Sequence, residues 1–325
     1  MAPFGERAII CSMQKPAVSC VIPVYRAAPV LAELRRRLVA VLSKEVESFE
    51  IIFVEDCGGD NSWEVIEALA AADPRIRGFR MSRNYGQHNA ILCGIRQAHG
   101  SIIVTMDDDL QHPPEELPKL LAKLAQGFDV VYGPPTEEKH TVLRNLASMV
   151  TKYVLQEAMG AETARQTCAL RAFRTELRDS FSDYRSSYVN IDVLLSWSTT
   201  KFAAIPVRHD PRTQGVSGYT TKSLIRHAFN MLTGFSAMPL QLASLLGFSF
   251  ALFGFGLMAY VVGRNLLQGS AVPGFSFLAS IISIFSGVQL FSLGIIGEYL
   301  ARMHFRAMDR PVYSVRQRTN IEESA

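Results

Sequence analysis

The stretch SIIVTMDDDLQHPPEE, residues 101–116, decides the fold. It opens on a short branched apolar run, passes into three consecutive carboxylates, and ends on a proline-led acidic start to a helix. A buried strand stops where its apolar run stops, and Pro followed by Glu suits the first turn of a helix. The same grammar recurs on either side. Val18–Val24, Phe49–Val54, Ile76–Met81, Ser101–Met106 and Asp129–Tyr132 are short, branched and apolar, which predicts buried strands. Between them, Val30–Leu42, Trp63–Ala71, His88–Ala98 and Glu115–Ala125 space their apolar residues three and four apart, which predicts helices. Strand–helix alternation of this kind implies an α/β fold, a mostly parallel sheet covered on both faces. From Arg144 to Val207 the pattern continues as helix, strand and helix with weaker boundaries.

Ligands of such sheets bind beyond the carboxyl ends of the strands. Four strand ends carry polar clusters there: Ile22-Pro23-Val24-Tyr25, Val54 to Asp60, Met81 to Gln87 and Met106 to Gln111. Three carboxylates in a row repel one another and are best tolerated beside a cation or in solvent. In an extended segment residues i and i+2 share a side, so Asp107 and Asp109 can share one ion while Asp108 faces elsewhere. Hard oxygen donors of this kind suit Mg2+ or Mn2+, and Gln111 can add a neutral oxygen. A solvated loop capping the next helix is the other reading. The Asp56–Asp60 loop, with its two glycines, suits a nucleotide base and ribose, or a plain turn.

Composition narrows the class. With 33 Lys and Arg against 30 Asp and Glu, a net charge of +3 does not argue for a nucleic-acid partner. Cys11, Cys20, Cys57, Cys93 and Cys168 form no Cys-x-x-Cys pair and are odd in number, which excludes a zinc ribbon and suits a reducing compartment. No apolar leader follows Glu6 and Arg7, so no signal peptide is expected. The dinucleotide and P-loop glycine patterns, His-Glu-x-x-His and Gly-x-Ser-x-Gly are all absent.

The charge is unevenly placed. No Asp, Glu, Lys or Arg lies between Arg226 and Arg264, or between Arg264 and Glu298. Leu240–Gly263 and Phe275–Gly297 are each long enough to cross ~30 Å of hydrocarbon. Lys222 and Arg226 precede the pair, and Arg302, Arg306, Arg310, Arg316 and Arg318 follow it. The positive-inside rule then puts both flanks and both termini in the cytosol, on the inner membrane. Residues 223–239 read as an interfacial helix or an ordinary amphipathic one. The expected division is a cytosolic domain over 1–222, a juxtamembrane helix over 223–239, two membrane helices over 240–300 and a basic tail over 301–325.

Taken together, Ile22–Tyr25, Val54–Asp56, Ser82–His88, Asp107-x-Asp109-Leu-Gln111-x-Pro-Pro-Glu115, Tyr132-Gly133 and Arg171–Phe173 resemble family 2 glycosyltransferases of GT-A type. The resemblance continues through Arg212, Gly215, Ser217 and Tyr219, Pro239–Ala243 and Gly294–Leu300, so it covers nearly the whole chain. It is nearest to the branch that acts on polyprenyl phosphates. It implies a nucleotide-sugar donor of the uridine diphosphate type, a polyprenyl phosphate acceptor, Mg2+ or Mn2+ and a homo-oligomer, a tetramer in relatives. Residue by residue, it implies that Pro23, Tyr25 and Asp56 line the base pocket, with Asp107 and Asp108 also reaching the nucleotide. Asp107, Asp109 and Gln111 would hold the metal, Arg212 would meet the diphosphate, and Arg144 and Ser148 would hold the acceptor phosphate.

The chain departs from the family's pattern in three places. Pro134 to Glu138 stands where relatives carry an arginine, Gly218 replaces a lysine, and Arg165-Gln166-Thr167 lacks an aspartate that serves as a base. A phosphate monoester is already mostly ionised near neutrality, so the missing base points to a phosphate acceptor rather than an alcohol. The loop Asp210–Thr221, with Gly215 and Gly218, is placed to act as a lid over the diphosphate.

Overall fold

The computed structural model describes residues 16–136, 166–186, 188–211, 233, 237–268, 275–308 and 311–319. The expected elements form. Strand β1 (Val18–Val24) leads to helix α1 (Ala28–Glu45), β2 (Phe49–Glu55), α2 (Ser62–Ala72), β3 (Ile76–Met81), α3 (Gln87–Gln97) and β4 (Ile102–Thr105). A 3-10 turn (Pro114–Glu116) opens α4 (Leu117–Leu124), so the helix expected over Glu115–Ala125 begins in the tighter form. After it come β5 (Val130–Tyr132), β6 (Arg171–Arg174), α5 (Ile191–Ser196) and β7 (Phe202–Ala204).

The sheet has eight strands in the order β7-β5-β6-β4-β1-β2-β3, closed at one edge by β8 (Val315–Arg318). Its centre, β4-β1-β2-β3, is parallel, while β6 and β8 run antiparallel to their neighbours β4 and β3. Side-chain alternation divides the core. Val18, Cys20, Ile22 and Val24 join Leu31, Leu34, Leu38 and Leu42 of α1 on one face, and Val21, Ile52 and Val54 join α3 on the other. Both faces are therefore buried, which is why β1 and β2 read as continuous apolar runs.

Helix α3 lies close against the sheet because Gly94 faces β1. A Cβ there would stand 2.3 Å from Val21 Cγ1. Gly94→Ala is therefore expected to destabilise the protein by about 1–3 kcal/mol, the range for overpacking a filled core. A fall in the urea midpoint at unchanged m-value checks it.

Two elements differ from the sequence reading. Residues Phe202–Ala204 pair parallel with β5. Within the stretch expected as a basic tail, β8 pairs antiparallel with β3, and Val312 is buried behind it. Ser82 donates its backbone N–H to the Ser314 carbonyl at 2.9 Å, and Gly78 donates to Thr319 Oγ1 at 2.7 Å. The tail is part of the sheet.

Between β7 and β8 run α6 (Met238–Gln268) and α7 (Phe275–Ala307). Met238–Val261 and Ile284–His304 are long and apolar enough to cross a membrane, and almost none of their residues is buried. The expected spans Leu240–Gly263 and Phe275–Gly297 lie within α6 and α7. Helix α7, with 33 residues, is about 50 Å long and outruns the hydrocarbon. Its far end carries the Glu298–Arg302 ion pair at 2.7 Å, and the Arg302 guanidinium lies 4.4 Å from the Tyr188 ring centre.

Candidate active site

Four turns at the carboxyl ends of β1, β2, β3 and β4 are laced into a closed ring. Tyr25 N–H, just past β1, donates to Asp108 Oδ2 at 3.0 Å. Arg26 Nε donates to the Gly58 carbonyl, past β2, at 2.8 Å. Asp56 accepts from the backbone N–H of Tyr85 and of Gly86, past β3, both at 2.7 Å. Gln87 Nε2 closes the ring on Asp107 Oδ1 at 2.6 Å. Inside lies a cleft of about 250 Å³ lined by Pro23, Val24, Tyr25, Asp56, Asn84, Gly86, Gln87, Asp107, Asp108 and Asp109. Gly58 is needed where it stands, since a Cβ would come 2.8 Å from the Arg26 backbone nitrogen.

Backbone strain gathers at this ring. Arg26, Cys57 and Leu110 adopt left-handed backbone with φ of 57°, 54° and 61°. They are the non-glycine residues with positive φ among those described, and all three lie in the turns that make the cleft. A residue with a Cβ avoids this region unless its surroundings enforce it, and enforced strain marks sites that must hold a shape.

Burial sets the electrostatics. It pushes the Asp56 carboxyl up to about 6, against the two N–H donors that favour its charged form. It also pushes Asp108 up to about 7, with the neighbouring Asp107 and Asp109 adding to the rise. Asp107 to Asp109 form a turn rather than an extended run. Tyr25 N–H holds Asp108, and it lines the cleft together with Asp107 and Asp109 rather than facing elsewhere.

This donor set fits a hard divalent cation. Two carboxylates crowd beside a third that is costly to ionise, and a positive charge among them relieves the repulsion. Among the described residues no three His, Cys, Asp or Glu side chains converge as a cage. Gln111 is not among the residues that line the cleft. Its N–H donates to Asp109 Oδ1 at 3.1 Å, and its carbonyl receives Asp210 N–H at 2.8 Å.

That last bond lays residues 207–210 beside the acidic turn. The His112 and His209 rings meet edge to face at 4.9 Å, and burial with the nearby His209 pushes His112 down to about 4. Arg212 lies two residues past this strap and outside the described residues, as do Arg144, Ser148 and most of the expected juxtamembrane helix.

Sequence reasoning named the Met81–Gln87 cluster but gave no role to Asn84, Gly86 or Gln87. Their place beyond a parallel strand was the available signal. It also missed a buried network behind the acidic turn. Asp192 Oδ1 accepts from Tyr132 Oη at 2.9 Å and pairs with Arg171 at 2.5 Å. Arg171 sits in register with Thr105, at the end of β4.

A nucleotide-sized cleft with an acidic turn at the head of a parallel sheet is the arrangement of a sugar-nucleotide transferase of GT-A type. The model of the family "Glycosyl transferase family 2" matches residues 19–180. The undecaprenyl-phosphate 4-deoxy-4-formamido-L-arabinose transferase of Shewanella sediminis is 35% identical over 92% of this chain and 91% of its own. That of Pseudomonas aeruginosa is 35% identical over 95% and 92%. Among solved structures, glucosyl-3-phosphoglycerate synthase of Mycobacterium tuberculosis aligns at a TM-score of 0.46 and 16% identity, covering 66% of this chain and 80% of that one. The chain belongs to glycosyl transferase family 2, the family its motifs resemble.

Proposed function

We propose that this protein moves a sugar from a nucleotide diphosphate sugar, of the uridine type, to a polyprenyl phosphate at the cytoplasmic membrane face, with inversion. The observation that carries the reading is one chain holding both the laced acidic cleft and two membrane-length helices. The relatives that match over nearly the full length bear names of undecaprenyl-phosphate sugar transferases, which supports the acceptor class.

In this reading Pro23, Tyr25 and Asp56 take the base. Asp107 and Asp109 hold Mg2+ or Mn2+, which when bound supplies positive charge to the departing diphosphate. Arg212 meets the same diphosphate, and Arg144 and Ser148 hold the acceptor phosphate. An acceptor phosphate oxygen attacks the anomeric carbon as the bond to the diphosphate breaks. No proton need be removed first, because the second ionisation of a phosphate monoester lies near about 6. Asp192, a buried carboxylate behind the acidic turn, supports this economy: Arg171 and Tyr132 already engage it, so it is not placed as a general base.

The acceptor is tested directly. Purified protein with a labelled nucleotide sugar and Mn2+ is expected to glycosylate undecaprenyl phosphate at least about 10²-fold faster than undecaprenol, the lower end of what general-base help supplies. Equal rates on both would overturn the phosphate-acceptor reading and favour a glycolipid synthase acting on hydroxyls.

A further inference from the structure

Tyr25 lines the cleft yet is 48% exposed, an aromatic face standing at the mouth with solvent on one side. Its backbone is fixed by Asp108. Its ring lies against the next residue, with the Arg26 guanidinium 5.2 Å from the ring centre. The same guanidinium reaches the opposite turn through its Nε bond to the Gly58 carbonyl. To do both, Arg26 adopts left-handed backbone at φ 57°, a conformation that disfavours any residue with a Cβ. A solvent-facing arginine chosen for stability alone would not occupy that position, where glycine is unstrained.

We propose that Arg26 is a positioning residue for the donor: it clamps the Tyr25 ring between the β1 and β2 turns as a ready platform for the nucleotide base. The inference rests on the donor-cleft reading above and adds a residue to it. Arg26 acts through Tyr25. A guanidinium beside a ring limits its rotamers before the base arrives, so less ordering is left to be done on binding.

The test uses the full-length protein in detergent, titrated with UDP and with GDP by calorimetry, alongside thermal unfolding. Arg26→Gly removes the side chain and relieves the left-handed strain together. Its melting temperature is expected to hold or rise, while nucleotide affinity falls by about five- to tenfold. Arg26→Lys keeps a cation beside the ring and should recover part of that loss. In a Tyr25→Ala background, Arg26→Gly should cost little more, since the two act as one unit. Unchanged affinity in Arg26→Gly would overturn the proposal, as would a full additional loss on top of Tyr25→Ala. If the unaltered protein binds neither UDP nor GDP, the donor-cleft reading itself fails and takes this inference with it.

Discussion

Asp107→Asn and Asp109→Asn are each expected to reduce sugar transfer by about 10³-fold or more, with the melting temperature unchanged or raised. Each change removes one of the carboxylates that line the cleft and leaves an amide of the same size. Loss of a preorganised electrostatic group at a leaving diphosphate is worth 10²–10³ in rate, roughly, and a cation serves more than one phosphate oxygen. The fold should not suffer, because three adjacent carboxylates repel one another and neutralising one eases the strain on Asp108. Mn2+ binding, followed by calorimetry on the protein without donor, should weaken in parallel with turnover. Full metal-dependent turnover in both variants would remove the acidic turn from the mechanism.

Arg212→Ala is expected to lower kcat by about 10²-fold while donor KM rises less. Two residues of extended chain span at most about 7 Å, and Asp210 is bonded to Gln111 beside the acidic turn. In the proposed reading Arg212 meets the diphosphate that Asp107 and Asp109 hold through the cation. Charge grows on the leaving group as its bond breaks, so the guanidinium should act more strongly in the transition state than in the ground state. Arg212→Lys should recover part of the rate, since an ammonium cannot form the two-pronged contact. Should kcat hold while only KM moves, Arg212 is a plain binding residue.

How much of this was legible beforehand follows from where the information sits. Strand β1 begins and ends where the sequence places it, because a strand buried on both faces is apolar along most of its length and polar at once beyond, and β3 keeps its expected bounds although Arg77 and Arg80 interrupt its apolar run. The acidic triplet was readable as a polar cluster beyond a strand end for the same local reason. β8 was not readable, because an edge strand needs only one apolar residue facing inward. Val315, Arg316, Gln317 and Arg318 therefore look like a basic tail. The Tyr132–Arg171–Asp192 network joins residues up to 60 apart, and no spacing rule reports such a meeting. Gln111 shows a local rule failing: sharing a side with Asp109 supposes extended backbone, and the turn at Leu110 cancels it.

The return of the chain to β3 after both membrane helices has a consequence for biosynthesis. Residues 315–318 leave the ribosome only after α6 and α7 have been made, so the edge of β3 stays bare until both helices have been synthesised. An uncovered edge invites pairing with other chains and is the kind of surface that chaperones and proteases recognise. Ser82 stands at the head of the loop that walls the cleft, and its N–H finds its partner, Ser314, only at that stage. Closure of the sheet at β3, and with it the wall beyond Ser82, thereby waits on synthesis of both apolar helices.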